Sequence, residues 1–157
     1  MGNIRKKTYI CLKIFSDMEN TDIIQDFPGV IKIAATFESP EIELNAEKGI
    51  FRIEGNSYPE DPLTFYSPVE RWFEKYAGNP SDKTELQISF RYFSTSSTQV
   101  FFNIFRLMEN ICKNGKSVVI KWFYDADNEE TKENGENYST LFDVPFEFVA
   151  SNFPKED

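Results

Sequence analysis

No histidine occurs anywhere in the 157 residues. Without an imidazole, Ser-His-Asp and Cys-His catalysis, His-ligated zinc or haem, and a proton switch near neutral pH are all excluded. Cysteine is nearly as scarce. Cys11 and Cys112 lie far apart with no CxxC pair, which fits two buried reduced thiols better than a structural disulfide. Long apolar runs are missing too, and nothing approaches the roughly 18–20 residues of a membrane span. The basic cluster Arg5-Lys6-Lys7 does precede an apolar stretch ending at Phe15. Lys13 interrupts it, however, and no small-residue cleavage site comes after it, so the expectation is a cytoplasmic protein. Neither GxxxxGK[ST] nor GxGxxG is present, which removes both common routes to a bound nucleotide. Positive charge is also in short supply: 17 Lys and Arg stand against 26 Asp and Glu, for a net charge of −9. Sequence-independent binding to nucleic acid or to anionic membranes needs clustered cations, and neither partner is expected.

What is present is an ordinary globular composition, 40% hydrophobic and 27% charged, with 16 phenylalanines pointing to an aromatic core. The length fits one domain. Residues 1–29 differ from the rest of the chain and end in the turn signal Phe27-Pro28-Gly29. This N-terminal extension reads equally as an extra strand, a flexible extension, or sequence upstream of a start at Met18. The domain proper is expected over 30–157.

From Val30 onward, strand and helix patterns alternate. Val30–Ala34, Glu41–Leu44 and Gly49–Glu54 are strand-like. A polar loop from Asn56 then feeds a helix running to about Ala77, with Asp61 as cap and Pro62 in the first turn. Ser67-Pro68-Val69-Glu70 is a second start signal, so this helix either kinks or begins there. Val69, Trp72, Phe73 and Tyr76 make its apolar stripe, and Gly78-Asn79-Pro80 ends it. Glu85–Phe93 alternates with period two. The next stripe (Val100, Phe101, Ile104, Phe105, Met108, Ile111, Cys112) is that of an amphipathic helix, stopped at Asn114-Gly115. Ser117–Tyr124 is almost continuously apolar, as expected of a strand covered on both faces. A weak polar helix over about Asn128–Leu141 leads to a last strand, Pro145–Ala150. Strand, helix, strand between Glu85 and Tyr124 is a βαβ unit with a right-handed crossover. The fold class is therefore α/β: a small mixed sheet of four to six strands with about three helices.

The most informative local feature is Ser94-Thr95-Ser96-Ser97-Thr98 at a strand-to-helix junction. Hydroxyls there cap free N–H groups, and the same geometry tolerates a phosphate dianion. The acidic stretch Asp125–Glu136 places acids at positions 1, 3, 5 and 12 of a calcium loop, but Glu130 stands where the sharp turn needs glycine. Its residues read as a solvated helix start, and carboxylate pairs such as Glu129 and Glu133 as a solvated face. Glu60, Asp61 and Glu70 lie near the aromatics Phe65, Tyr66, Trp72 and Phe73. Core packing accounts for most of that cluster, with Tyr66 a candidate exposed interface anchor. No catalytic residue, metal ligand or cofactor is expected.

Three segments together resemble one family: Gly55 to Asp61 around Ser57-Tyr58-Pro59-Glu60, Arg91 to Ser97, and Gly115 to Asp125. The sequence is similar over about Val30–Val149 to the SiaC-type bacterial regulatory phosphoproteins, whose fold is STAS-like. The resemblance implies a non-enzymatic partner switch in signal transduction. A Ser/Thr kinase would phosphorylate Thr95, and a metal-dependent Ser/Thr phosphatase would reverse it. The dephosphorylated form would bind and activate a diguanylate cyclase or another output protein, raising cyclic di-GMP and favouring biofilm growth. Ser94, Ser96 and Ser97 flank the phosphosite, and Ser57, Tyr58, Pro59 and Glu60 would belong to the partner surface. Two departures stand out: Ser94 replaces the usual Asn, and Gln99 replaces a common Lys. Two other readings remain open, a small divalent-metal enzyme using the Asp125–Glu136 carboxylates and a constitutive STAS-like adaptor.

Overall fold

The computed structural model describes residues 28–154. Readings that fall on residues 1–27, including Cys11 and a start at Met18, lie outside the described residues. Six strands and three helices succeed one another: β1 (Ile31–Ile33), β2 (Glu41–Asn45), β3 (Ile50–Ser57), α1 (Pro62–Gly78), β4 (Lys83–Phe93), α2 (Thr98–Lys113), β5 (Ser117–Asp125), α3 (Glu129–Ser139) and β6 (Phe146–Ser151). A single 3-10 turn, Thr95–Ser97, leads into α2.

Spatial order equals chain order, β1-β2-β3-β4-β5-β6. The first three strands pair antiparallel, and β3 through β6 pair parallel, each parallel step bridged by one helix. Successive right-handed crossovers that always advance in the same direction put all their helices on one face of the sheet. Burial agrees. One face carries Ile42, Ile53, Ile88 and Trp122 in register, all at most 1% exposed, within one core cluster shared with the helices.

The other face carries a polar row. Lys32, Glu43, Arg52, Gln87, Lys121 and Glu147 are cross-strand neighbours from β1 to β6. Arg52 bonds Glu41 and Glu43 at 3.2 and 3.0 Å, and Lys121 lies 3.5 Å from Glu85. This corrects the expectation for β5: its helix-facing side chains Val118, Ile120 and Trp122 are buried, whereas Val119, Lys121 and Phe123 are only half-buried. Among the described residues, its unbroken apolar run reflects parallel pairing at mid-sheet, with helices covering one face.

The helices form where their stripes predict. Asp61 caps α1 by accepting from the Thr64 amide at 3.2 Å and the Thr64 hydroxyl at 2.6 Å. The helix then runs unbroken through Pro68, so the second start signal is not used. Val69, Trp72, Phe73 and Tyr76 are buried, with the Trp72 indole donating to the Gly29 carbonyl. Gly115, at φ +94°, supplies the left-handed residue that turns the chain from α2 into β5. Helix α3 is mostly polar, yet it is held against the sheet by the Trp122 indole donating to the Thr131 carbonyl at 2.8 Å. Gly135 lets it approach closely: a Cβ there would lie 2.6 Å from the Trp122 ring.

Candidate functional site

Parallel pairing places the carboxyl ends of β3, β4 and β5 along one edge of the sheet. That edge is where open α/β sheets present functional residues. Three segments of the sequence meet there. Ser57 ends β3, the Ser94–Thr98 run comes directly after β4, and Asp125 ends β5. The Ser94 amide donates to the Ser57 carbonyl at 2.9 Å, joining the Tyr58 loop to the hydroxyl run.

Below that junction lies a closed polar knot. The Ser57 hydroxyl sits 2.6 Å from the Tyr66 hydroxyl and donates to the Ser97 hydroxyl at 3.0 Å; Ser97 donates in turn to the Ser57 carbonyl at 3.3 Å. All three residues are completely buried. Tyr66 is therefore not the exposed anchor its sequence context allowed, since its ring lies in the core against Phe101 and its hydroxyl serves the knot. Burial pushes that hydroxyl well above the ordinary phenol range, with the Ser57 hydrogen bond pulling partly back. Ser57 and Ser97 likewise belong to the framework beneath the surface rather than to the surface itself.

Above the knot the hydroxyls divide their roles. Ser94 and Ser96 bond each other at 2.6 Å. Ser94 and Ser97 stand at the caps of the 3-10 turn and of α2, but neither makes a side-chain cap bond. The capping expected of this run is thus not formed: the Ser94 hydroxyl is committed to Ser96 and the Ser97 hydroxyl to Ser57. Thr95 is exposed at the first position of the turn, and no hydrogen bond reaches its hydroxyl among the described residues. Gln99 is exposed one turn on and donates to Asn103 at 3.0 Å.

The Tyr58 loop joined to this run is aromatic and acidic. Tyr58 and Pro59 are half-buried and Glu60 is exposed. Tyr92 also walls a depression of about 230 Å³ with Asn56, Arg91, Asp125, Phe153 and Pro154. In the acidic stretch, the Asp125 carboxylate accepts the Asp127 amide at 3.0 Å, and the Asn128 side chain caps α3. No group of three metal-ligating side chains comes together among the described residues. Nor, among them, is any helix long and apolar enough to cross a membrane.

Residues 33–151 match the family described as SiaC family regulatory phosphoprotein. The chain belongs to the SiaC family. A relative, an uncharacterized protein of Pseudomonas aeruginosa strain UCBPP-PA14, is 28% identical over 120 residues, spanning 76% of this chain and 95% of its own. The crystal structure of apo-SiaC from Pseudomonas aeruginosa superposes with a TM-score of 0.72 at 27% identity, covering 78% of this chain and 99% of that one. The structure of the Pseudomonas aeruginosa diguanylate cyclase SiaD in complex with its activator SiaC gives a TM-score of 0.70 at 28% identity, over 77% and 99% of the two chains. The fold of this SiaC-family chain is accordingly the mixed α/β, STAS-like architecture expected from its sequence. The matched span lies within 30–157.

Proposed function

We propose that the chain is a phosphorylation-controlled partner switch in which Thr95 is the phosphoacceptor. In its dephosphorylated form it binds and activates a diguanylate cyclase in the cytoplasm. A Ser/Thr kinase and a metal-dependent Ser/Thr phosphatase set the state of Thr95, and the chain performs no catalysis itself. The observation that carries this reading is the exposed, unengaged Thr95 hydroxyl beside the Tyr58 loop, in a member of a regulatory phosphoprotein family. A SiaC that activates a cyclase in complex supports the choice of target.

The switch acts locally. A phosphate adds about −1.5 to −2 charges, a small change against the −9 already present. On a contact face, however, a partner shaped for a neutral hydroxyl must strip water from a dianion with no new donor to replace it. Beside Thr95, the Ser94 and Ser96 hydroxyls are already bonded to each other, and the Gln99 amide to Asn103.

Two measurements test the reading. Intact mass of the chain isolated from its native cell, before and after phosphatase, should show one phosphate that is absent from Thr95→Ala. Binding to a purified cyclase should be retained by Thr95→Ala and weakened at least about tenfold by Thr95→Glu, as expected for an unpaired charge in an interface. Equal binding by both variants overturns the mechanism.

A further inference from the structure

The loop between β1 and β2 holds a phenylalanine out in water. Phe37 is 75% exposed, yet its backbone is heavily tied down. The Thr36 hydroxyl accepts from the Glu38 and Ser39 amides at 3.2 and 3.0 Å and bonds the Ser39 hydroxyl at 2.6 Å. The Tyr58 amide donates to the Glu38 carbonyl at 2.8 Å, and the Asn56 side chain donates to the Phe37 carbonyl at 3.1 Å. Gly55, beside a register shift in β3, adopts φ +127°, a backbone conformation that side-chain-bearing residues rarely take, where the strand passes Pro40. A single exposed phenylalanine needs no explanation. One fixed by this many bonds to the phosphosite edge of the sheet is preorganised.

It is also not alone. Phe37 packs edge-on to Tyr58 at 6.1 Å between centroids, and Tyr58 packs edge-on to Tyr92 at 5.2 Å. Tyr92 is itself 55% exposed. The row therefore crosses from the β1–β2 loop to the end of β4, two residues before Ser94, and stops at the depression that Tyr92 walls. Exposed carboxylates flank it. Glu38 adjoins Phe37 and Glu60 stands two residues after Tyr58, and neither forms an ion pair among the described residues. Rigid aromatics with little rotamer entropy to lose are the usual energetic centre of an interface, and a charged rim selects its complement.

We propose that Phe37, Tyr58 and Tyr92 are the aromatic anchor of the partner-binding surface. The occupant is a protein segment that lays an apolar side chain on the exposed Tyr92 ring, at the rim of the depression, and presents lysine or arginine to Glu38 and Glu60. This rests on the switch reading above and adds to it what grips the partner. Thr95 lies next to the anchor, so its phosphate is buried together with the rings.

The test uses the full chain as Thr95→Ala with purified diguanylate cyclases as probes: SiaD of Pseudomonas aeruginosa and the cyclases of the chain's own host. Phe37→Ala and Tyr92→Ala should each weaken binding about tenfold or more, the loss typical of an anchoring aromatic. Leu141→Ala, at a side chain 61% exposed elsewhere on the surface, should not. Glu38→Lys with Glu60→Lys should weaken binding further at low salt. Unchanged melting temperatures for Phe37→Ala and Tyr92→Ala would separate lost contact from lost fold. If the parent binds a cyclase and both aromatic variants bind as well as Leu141→Ala, the anchor is wrong and the switch reading stands. If the parent binds none of these cyclases, both fall together.

Discussion

At the scale of single residues, the sheet edge that carries Thr95 depends on hydroxyls that water never reaches. Ser57, Tyr66 and Ser97 satisfy one another inside the core, and each belongs to a different element. Removing one leaves a buried polar neighbour short of a partner, which costs about 1–3 kcal/mol. Tyr66 adds a pH signature. Its hydroxyl is held far above the usual phenol range by burial, so the folded chain keeps the proton that the unfolded chain releases above about pH 10. The resulting stability is complete below that pH and is lost as pH rises towards the folded value. The slope is about 1.4 kcal/mol per pH unit for each such tyrosine. Tyr138, buried with its hydroxyl donating to the Thr98 carbonyl at 2.9 Å, behaves alike. Urea unfolding from neutral pH to about pH 11 should therefore show a steep alkaline loss, and Tyr66→Phe should remove one tyrosine's share while lowering stability at neutral pH. An alkaline limb unchanged in Tyr66→Phe would mean that this hydroxyl titrates freely in the folded chain.

At the scale of elements, α1 shows how a local signal survives folding. The Asp61 carboxylate sits below its ordinary range because the Thr64 hydroxyl, and then the Thr64 amide, hydrogen-bond its charged form. A depressed folded pKa contributes stability above the unfolded value, and that stability disappears as pH falls through the folded one. Asp61→Ala should accordingly lower the melting temperature at neutral pH and make little difference in acid, where the cap is already protonated. Asp61→Asn, which still caps, should keep most of the neutral stability. If Asp61→Ala lost equally at both extremes, the carboxylate's charge would have no part in the cap. Such elements are readable in the sequence because cap, stripe and stop fall within a few residues of one another. The far end of β3 is not. Asn56 and Ser57 look like loop, and they are strand because Gly55, at φ +127° beside the register shift, turns the backbone so that they pair with Tyr92 and Phe93. The site divides in the same way. Thr95, the proposed phosphoacceptor, stands in a motif the sequence displays, whereas Phe37, the proposed anchor, escapes sequence reasoning because no local pattern tells an exposed phenylalanine from a core one. Its signal is the turn run Thr36 to Pro40, whose own hydroxyl bonds are joined by two from the end of β3.

For the whole molecule, a sheet with its helices on one face sets how far charge can act. Helices fill one side of the sheet, and on the other the row from Lys32 to Glu147 mixes acids with bases. On that row, acids and bases compensate one another across the strands. A change at Thr95 that worked through the global field would weaken over a screening length of about 10 Å at 0.1 M salt and about 3 Å at 1 M. A change that works by desolvation inside a closed interface would not. These alternatives separate in one titration. Affinities of Thr95→Ala and Thr95→Glu for the same purified cyclase should both fall with salt, because the Glu38 and Glu60 rim is shared. Their ratio should stay within about threefold between roughly 0.05 and 0.5 M NaCl, since the shared screening cancels. A ratio that collapsed towards one at high salt would transfer the switch from the contact face to the field of the whole chain. The rings at Phe37, Tyr58 and Tyr92 would then anchor a complex whose control lies in long-range charge.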